Sequence, residues 1–302
     1  MCPFWRREDE RLLSVDDEVR MMEALVRAGV SFLGFEGGEP LLRRDLPEIL
    51  AESHRRFHTS LVTNGWLLRN RIDDLVPHLD LLFVSLDGIG DLHDRLRGIP
   101  GSFARAVEGI RAVRGRVPIA ISSTLTSENL DDAEPLVALA RRLGVGVTFQ
   151  VAYNYSTARG LSPQGQKLRE TLERLLSLKE EGAPIIESRE YFTTVINSWY
   201  RGVSWRCKPW MTMNVDPQGR IVLPCYSLRE YGGGPYIWET SILKLWDSFD
   251  WESYGECNKC ALACYLEPSL FSWRNPTMLR ERILDPIVAY LDSGTDVEVP
   301  VS

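Results

Sequence analysis

The sequence predicts an α/β fold: a partial parallel β/α barrel that lacks its first strand, followed by a smaller cysteine-rich C-terminal domain. Three observations predict it. Short apolar, β-rich stretches recur at 31–35, 59–63, 81–86, 119–125 and 145–151. The segments between them carry helical period. Five of the six cysteines lie late in the chain, at 207, 225, 257, 260 and 264. Short strands that alternate with helices imply a parallel sheet of βα units, either a barrel or an open doubly wound sheet.

Each element has its own justification. Val19, Met22 and Val26 mark one face of a first helix, with Ser14 and Asp17 as its capping pair. Phe103, Val107 and Ile110 mark another helix. Leu136, Leu139, Ala140 and Leu143 fit the i, i+3, i+4, i+7 pattern, with Asp131 and Glu134 as a second capping pair. The residues at the strand ends favour a barrel. The strands end in Glu36-Gly-Gly-Glu-Pro40, Thr63-Asn-Gly65 and Ser85-Leu-Asp-Gly88, then near Ser122–Thr124 and at Gln150. Polar groups and glycines at the C-terminal ends of successive parallel strands are where such folds build sites. Gly37-Gly38 would let a ligand approach bare backbone. Residues 1–13 are loop-like and lead straight into a helix, so the chain begins inside a βα unit. The first domain is expected over 1–182 and the second over 183–302, ending in a helix near 277–291.

Composition narrows the function. Of 302 residues, 44% are hydrophobic and 25% charged, which excludes a disordered, collagen-like or disulfide-dense chain. The apolar runs fall far short of the ~20 residues a bilayer span needs, and no secretory leader opens the chain. A cytoplasmic protein is expected. The net charge of −7 argues against a general nucleic-acid binder.

The cysteines carry the chemistry. Cys257–Cys260 and Cys260–Cys264 have chelate spacing, and a hairpin over 211–223 would bring Cys207 and Cys225 together. Four thiolates suit zinc or an iron–sulfur cluster, and spacing alone does not separate the two. The alternative is five buried small hydrophobes, which so dense a cluster disfavours.

Cys2 before a βα loop, Gly37-Gly38-Glu39-Pro40, Ser85-Leu-Asp-Gly88, His93-Asp-Arg-Leu-Arg-Gly98 and Pro100-Gly-Ser-Phe103 together resemble radical SAM enzymes, most closely those with a C-terminal SPASM or twitch extension. The resemblance implies a C-x3-C-x2-C loop whose three thiolates hold a [4Fe–4S] cluster, leaving one iron for S-adenosylmethionine. Cleavage of that cofactor yields a 5′-deoxyadenosyl radical, which abstracts hydrogen from substrate. Cys2 resembles the third cysteine of the loop and is the one catalytic cluster ligand in view. The other two would fall three and seven places before it. A miscalled start, a truncated gene or a degenerate homologue are the three readings, and the lost strand favours the first two. The 302-residue chain is then expected to be inactive as it stands, and a version extended upstream to be active.

The resemblance also assigns a cofactor site. Gly37, Gly38, Glu39 and Pro40 would receive the methionine end, with the Glu39 carboxylate suited to the ammonium group. Asn64, Ser85, Asp87 and Thr124 are candidates for ribose and carboxylate. Arg97 either pairs with that carboxylate or is a surface helix charge, and the 145–151 strand would lie beneath the adenine. In the extension, Cys207, Cys225, Cys257 and Cys260 are the favoured ligands of one auxiliary [4Fe–4S] cluster, with Cys264 spare or exchanging with Cys257. The implied activity is oxidoreductase-like, on a peptide or small biosynthetic substrate, with flavodoxin or ferredoxin as electron donor. The alternative is a non-catalytic iron–sulfur or zinc relic of such an enzyme.

Overall fold

The computed structural model describes residues 12–154, 160–199, 205–229 and 234–272. Cys2 and the expected helix near 277–291 lie outside them. Five parallel strands, β1 Phe32–Phe35, β2 His58–Thr63, β3 Leu81–Ser85, β4 Ile119–Leu125 and β5 Gly146–Val151, form one sheet in strictly sequential order. A doubly wound sheet would reverse its order at a switch point. This one does not, so its connecting helices fall on one side and the partial barrel is the observed arrangement. The connections contain α1 Val15–Arg27 ahead of β1, then α2 Leu46–His54, α3 Leu68–Leu75, α4 Asp91–Arg97, α5 Ser102–Val113 and α6 Ala133–Leu143.

Register shows why the two faces of the sheet differ. Residues paired across parallel strands share a face. One face carries Leu61 paired with Leu82 in one row and Val84, Ile121 and Val147 in the next, with Phe149 and Val151 further along β5. All of these are fully buried in the main core beneath the helices. The opposite face carries Ser85–Ser122–Thr148 as one row and Thr124–Gln150 as the next, and these five are only half-buried. Polar side chains line that part of the sheet in place of the apolar residues of the core.

After β5 the chain makes α7 Gly165–Glu180, in which Leu168, Leu172, Leu175 and Leu178 are buried. Residues 184–186 then add to the sheet edge through a parallel bridge between Val147 and Ile185. Next come α8 Arg189–Thr194, a hairpin of β6 Asn214–Val215 and β7 Ile221–Val222, α9 Ile242–Ser248 and α10 Ala263–Leu270. The main core takes in Ile185, Tyr191, Phe192, Ala261 and Leu266 together with the barrel residues. A second core joins Met21, Met22 and Leu25 of α1 to Ile49 and Phe57, and to Ile221, Leu223, Ile237 and Ile242 of the C-terminal segment.

Two sequence expectations need correction. The buried face of α1 is Met21, Met22, Ala24 and Leu25, whereas Val26 is exposed; the second core, not the barrel, selects that face. Ser14 does cap α1 by accepting from the Asp17 N–H, but Asp131 and Glu134 form no capping pair. The chain enters α6 through a 3-10 turn with no side-chain cap, and the two carboxylates pair instead with Lys167 and Arg174 of α7.

At the hairpin turn Gly219 has φ +84°, and a Cβ there would stand 2.4 Å from the Trp238 ring. Both strain and overlap oppose any side chain. Gly219→Ala is expected to cost about 2 kcal/mol, read as an equal shift in urea denaturation by fluorescence and by circular dichroism. An unchanged midpoint would show that the ring moves aside freely.

Candidate functional site

The strand ends are tied together by carboxylates. Glu39, in the loop after β1, accepts from Thr63 Oγ1 at 2.7 Å, Asn64 N at 2.7 Å and Leu41 N at 3.0 Å. It thereby fastens the β1 loop to the end of β2. Gly37 and Gly38 beside it are exposed, Gly37 has φ +127°, and the space where either Cβ would stand is empty. Pro40 opens a short 3-10 turn capped by Glu39. Asn64 accepts from the Trp66 N–H at 2.9 Å. The following Gly65, at φ +79°, packs so closely that a Cβ would lie 2.9 Å from Ala106 Cα and Val84 Cγ1.

Asp87 does the same for β3 and β4. It is 1% exposed. Its Oδ1 accepts from Thr124 N at 3.0 Å, and its Oδ2 lies 2.7 Å from Arg97 Nε. That contact is an ion pair without hydrogen-bond geometry. Arg97 is therefore turned towards the strand ends and is not a free surface charge. The Asn129 amide bridges the carbonyls of Asp87 and Thr124 at 2.7 and 2.9 Å. His93 Nδ1 accepts from Asp87 N at 3.0 Å. Burial, then the charge of Arg97, push the imidazole down to about 4, so it stays neutral at physiological pH and can accept there. The structure thus brings Asp87, Arg97 and Thr124 together, with Ser85 in the row beneath and Glu39 and Asn64 at the neighbouring strand end.

Among the described residues, five thiols are free. Burial raises Cys207 to about 12, and Cys260, Cys257 and Cys225 add to that by repulsion. Burial raises Cys260 to about 11, with Cys225 and Cys257 contributing. Cys225 is raised by burial and by Cys257. These four act on one another electrostatically. Among the described residues no three ligating side chains converge tightly enough to hold a single metal ion. Cys264 is the exposed one of the five, 3.5 Å from the Tyr226 hydroxyl and near enough to Cys260 and to Glu36, at the end of β1, to be repelled by both. The cysteine loop is fastened to the strand ends directly, through an antiparallel bridge between Val151 and Ala261.

Three polar residues of this region carry no signal in the sequence that assigns them a role. His93 opens the His93–Gly98 motif without a function of its own there, and Asn129 is one polar residue in a polar loop. Glu187 lies 1% exposed at the sheet edge, in a segment with no alternation to mark it.

Comparison with known proteins supports this architecture. The radical SAM superfamily profile matches residues 1–140, and a domain of unknown function (DUF3463) matches 147–284. A PqqA peptide cyclase of Granulibacter bethesdensis is 25% identical over 264 residues, covering 81% of this chain and 70% of its own length. An AdoMet-dependent heme synthase of Methanosarcina barkeri is 33% identical over 153 residues, 49% of this chain and 44% of that protein. Streptococcus suis SuiB bound to S-adenosylmethionine superposes with a TM-score of 0.65 at 15% identity, over 82% of this chain and 61% of SuiB. Native anSMEcpe with bound AdoMet and a peptide superposes at 0.63 and 18% identity, over 84% and 78%. The chain thus spans less than two thirds of SuiB.

Proposed function

Since this chain belongs to the radical SAM superfamily and carries a C-terminal auxiliary domain, we propose that its strand-end recess binds S-adenosylmethionine beside a [4Fe–4S] cluster and generates a 5′-deoxyadenosyl radical. The radical would abstract hydrogen from a peptide or small biosynthetic substrate, as an oxidoreductase-like enzyme supplied with electrons by a flavodoxin or ferredoxin. The observation that carries this reading is the cysteine loop bridged onto the end of β5, where the polar row of strand ends opens.

The residues present fit the groups the family implies. Bare backbone at Gly37-Gly38, with open space over it, suits the amino-acid end of the cofactor. Glu39 places a fixed negative charge there, suited to its ammonium group. Arg97 keeps its Nε on Asp87 and offers its remaining N–H groups to the cofactor carboxylate. Asn64, Ser85, Asp87 and Thr124 line the ribose side, with β5 beneath the adenine. Cys2 supplies one thiolate to the cofactor-binding cluster. Cys207, Cys225, Cys257 and Cys260 supply four to the auxiliary cluster, with Cys264 beside them. When bound, these groups supply reductive C–S cleavage and a one-electron acceptor for substrate oxidation. Relatives named for peptide cyclisation and a structural neighbour holding a peptide favour a peptide substrate.

Anaerobic reconstitution with iron and sulfide tests the auxiliary site. About four irons per chain are expected for one [4Fe–4S] cluster at the four thiols, lost in Cys225→Ser. Because the free thiols hold their protons, loading should be greater at pH 8.5 than at pH 6.5. Calorimetry should then show S-adenosylmethionine binding, weakened by Arg97→Ala. Zinc without sulfide in the freshly purified chain would overturn the assignment in favour of the non-catalytic relic.

A further inference from the structure

A buried carboxyl group that the cofactor site does not use lies between the polar strand row and the thiols. Glu187 Oε1 accepts from the Thr148 hydroxyl and, at 2.7 Å, from Phe149 N. Its Oε2 is buried with no hydrogen-bond partner among the described residues. Thr148 belongs to the half-buried Ser85–Ser122–Thr148 row, so the hydroxyl that donates to Glu187 sits on the face the recess exposes. On the other side stand Glu267 of α10 and Tyr191 of α8. Glu267 is occupied by the N–H and hydroxyl of Ser188, each at 2.7 Å. The Tyr191 hydroxyl donates to Ala261 O at 2.8 Å, next to Cys260, and the phenol senses Glu187, Glu267 and Cys260 together. An edge strand needs an acceptor for Phe149 N, which Oε1 alone would satisfy. A second oxygen, buried and unpartnered, costs free energy that a purely structural acceptor such as glutamine would avoid.

We propose that Glu187, acting through the Thr148 hydroxyl, takes up the proton a substrate releases in the recess when its electron passes to the thiol-held cluster. This deepens the functional reading above and rests on it. A [4Fe–4S] cluster held by the four thiols would accept the electron that the substrate radical loses after hydrogen abstraction, and the proton lost with it would pass to Thr148 Oγ1. The Thr148 hydroxyl proton moves to Oε1 of ionised Glu187, and the substrate departs with a new double bond or ring. Glu187 is thus a positioning residue that acts through Thr148. Burial and the neighbouring Glu267 raise its carboxyl to about 7, where it can both take and return a proton near neutral pH.

Two measurements test this on the full chain. Infrared difference spectra of the metal-free protein between pH 5 and pH 9 should show a protonated carboxyl band lost with a midpoint near 7. The band should be absent in Glu187→Gln and titrate at higher pH in Thr148→Val, which removes a hydrogen bond to the charged form. After anaerobic reconstitution, the midpoint potential of the auxiliary cluster, followed by electron paramagnetic resonance, should fall as pH rises above about 7 in the wild-type chain and stay level in Glu187→Gln. Equal pH dependence in both, or no Glu187 band, overturns the proposal while leaving the functional reading intact. Zinc in the thiol site overturns that reading and the electron transfer with it, and the infrared titration separates the two failures.

Discussion

Arg97→Ala should destabilise the folded chain by about 2–3 kcal/mol, although Arg97 is a partly exposed side chain on a seven-residue helix. The reason lies in Asp87. Its Oδ2 is buried and has no hydrogen bond, so the guanidinium at 2.7 Å is its only charge compensation among the described residues. Removing one partner of a buried pair typically costs 3–5 kcal/mol. The arginine side chain keeps 29% of its surface exposed, so solvent screens part of the interaction and a cost below that range is expected. Asp87→Asn in the Arg97→Ala background should restore most of the loss, because an amide carries no uncompensated charge and its oxygen still accepts from Thr124 N. Urea denaturation of the four proteins at pH 7.5 gives the coupling energy. A single variant within about 0.5 kcal/mol of wild type would show that the pair is ornamental.

The stability of the chain should also fall as pH rises from about 4.5 to about 7, by about 3 kcal/mol more than that of Glu187→Gln. The buried Glu187 carboxyl titrates at about 7, against 4.5 when unperturbed. Between those values the folded state holds a proton that the unfolded state has released. Its contribution is therefore fully present below pH 4.5 and lost as pH passes 7. Other carboxylates titrate with the opposite sign: Asp94, for example, is held low by the N–H groups of Phe103 and Gly101. The informative quantity is therefore the difference between wild type and Glu187→Gln, measured by urea denaturation at half-unit steps. A difference that does not change with pH would mean that Glu187 is ionised throughout.

The strands and three of the helices, α1, α5 and α6, were legible because their signals are local. Leu136, Leu139, Ala140 and Leu143 are all buried, and each strand stretch became a strand. The helix over 165–180 carried the same kind of signal in Leu168, Leu172, Leu175 and Leu178. The site was legible only as a roster. Asp87, Thr124 and Arg97 could be named from motifs, but their connections span long stretches of chain, as when Thr124 N reaches the Asp87 carboxylate and the Asp132 carboxylate reaches Ile89 N. Glu134 looked like a cap because a cap is a local pattern. Its partner Arg174 lies on another helix, and no short-range rule could have found it. Glu187 left no trace in one dimension. Its significance comes from being buried against Thr148 and Phe149, and neither periodicity nor motif reports that.

The second core has a consequence for how the chain is made. Met21, Met22 and Leu25 are covered by Ile221, Leu223, Ile237 and Ile242, partners that leave the ribosome some ~200 residues later. At roughly 5–20 residues per second, the apolar stripe of α1 waits about 10–40 s, sheltered by nearby residues such as Leu33, Phe35, Ile49 and Phe57. Contacts of such long range also slow folding once the chain is complete. During synthesis the nascent barrel therefore shows a sticky flank to any neighbour on the same polysome, and holding chaperones are the natural custodians of that interval.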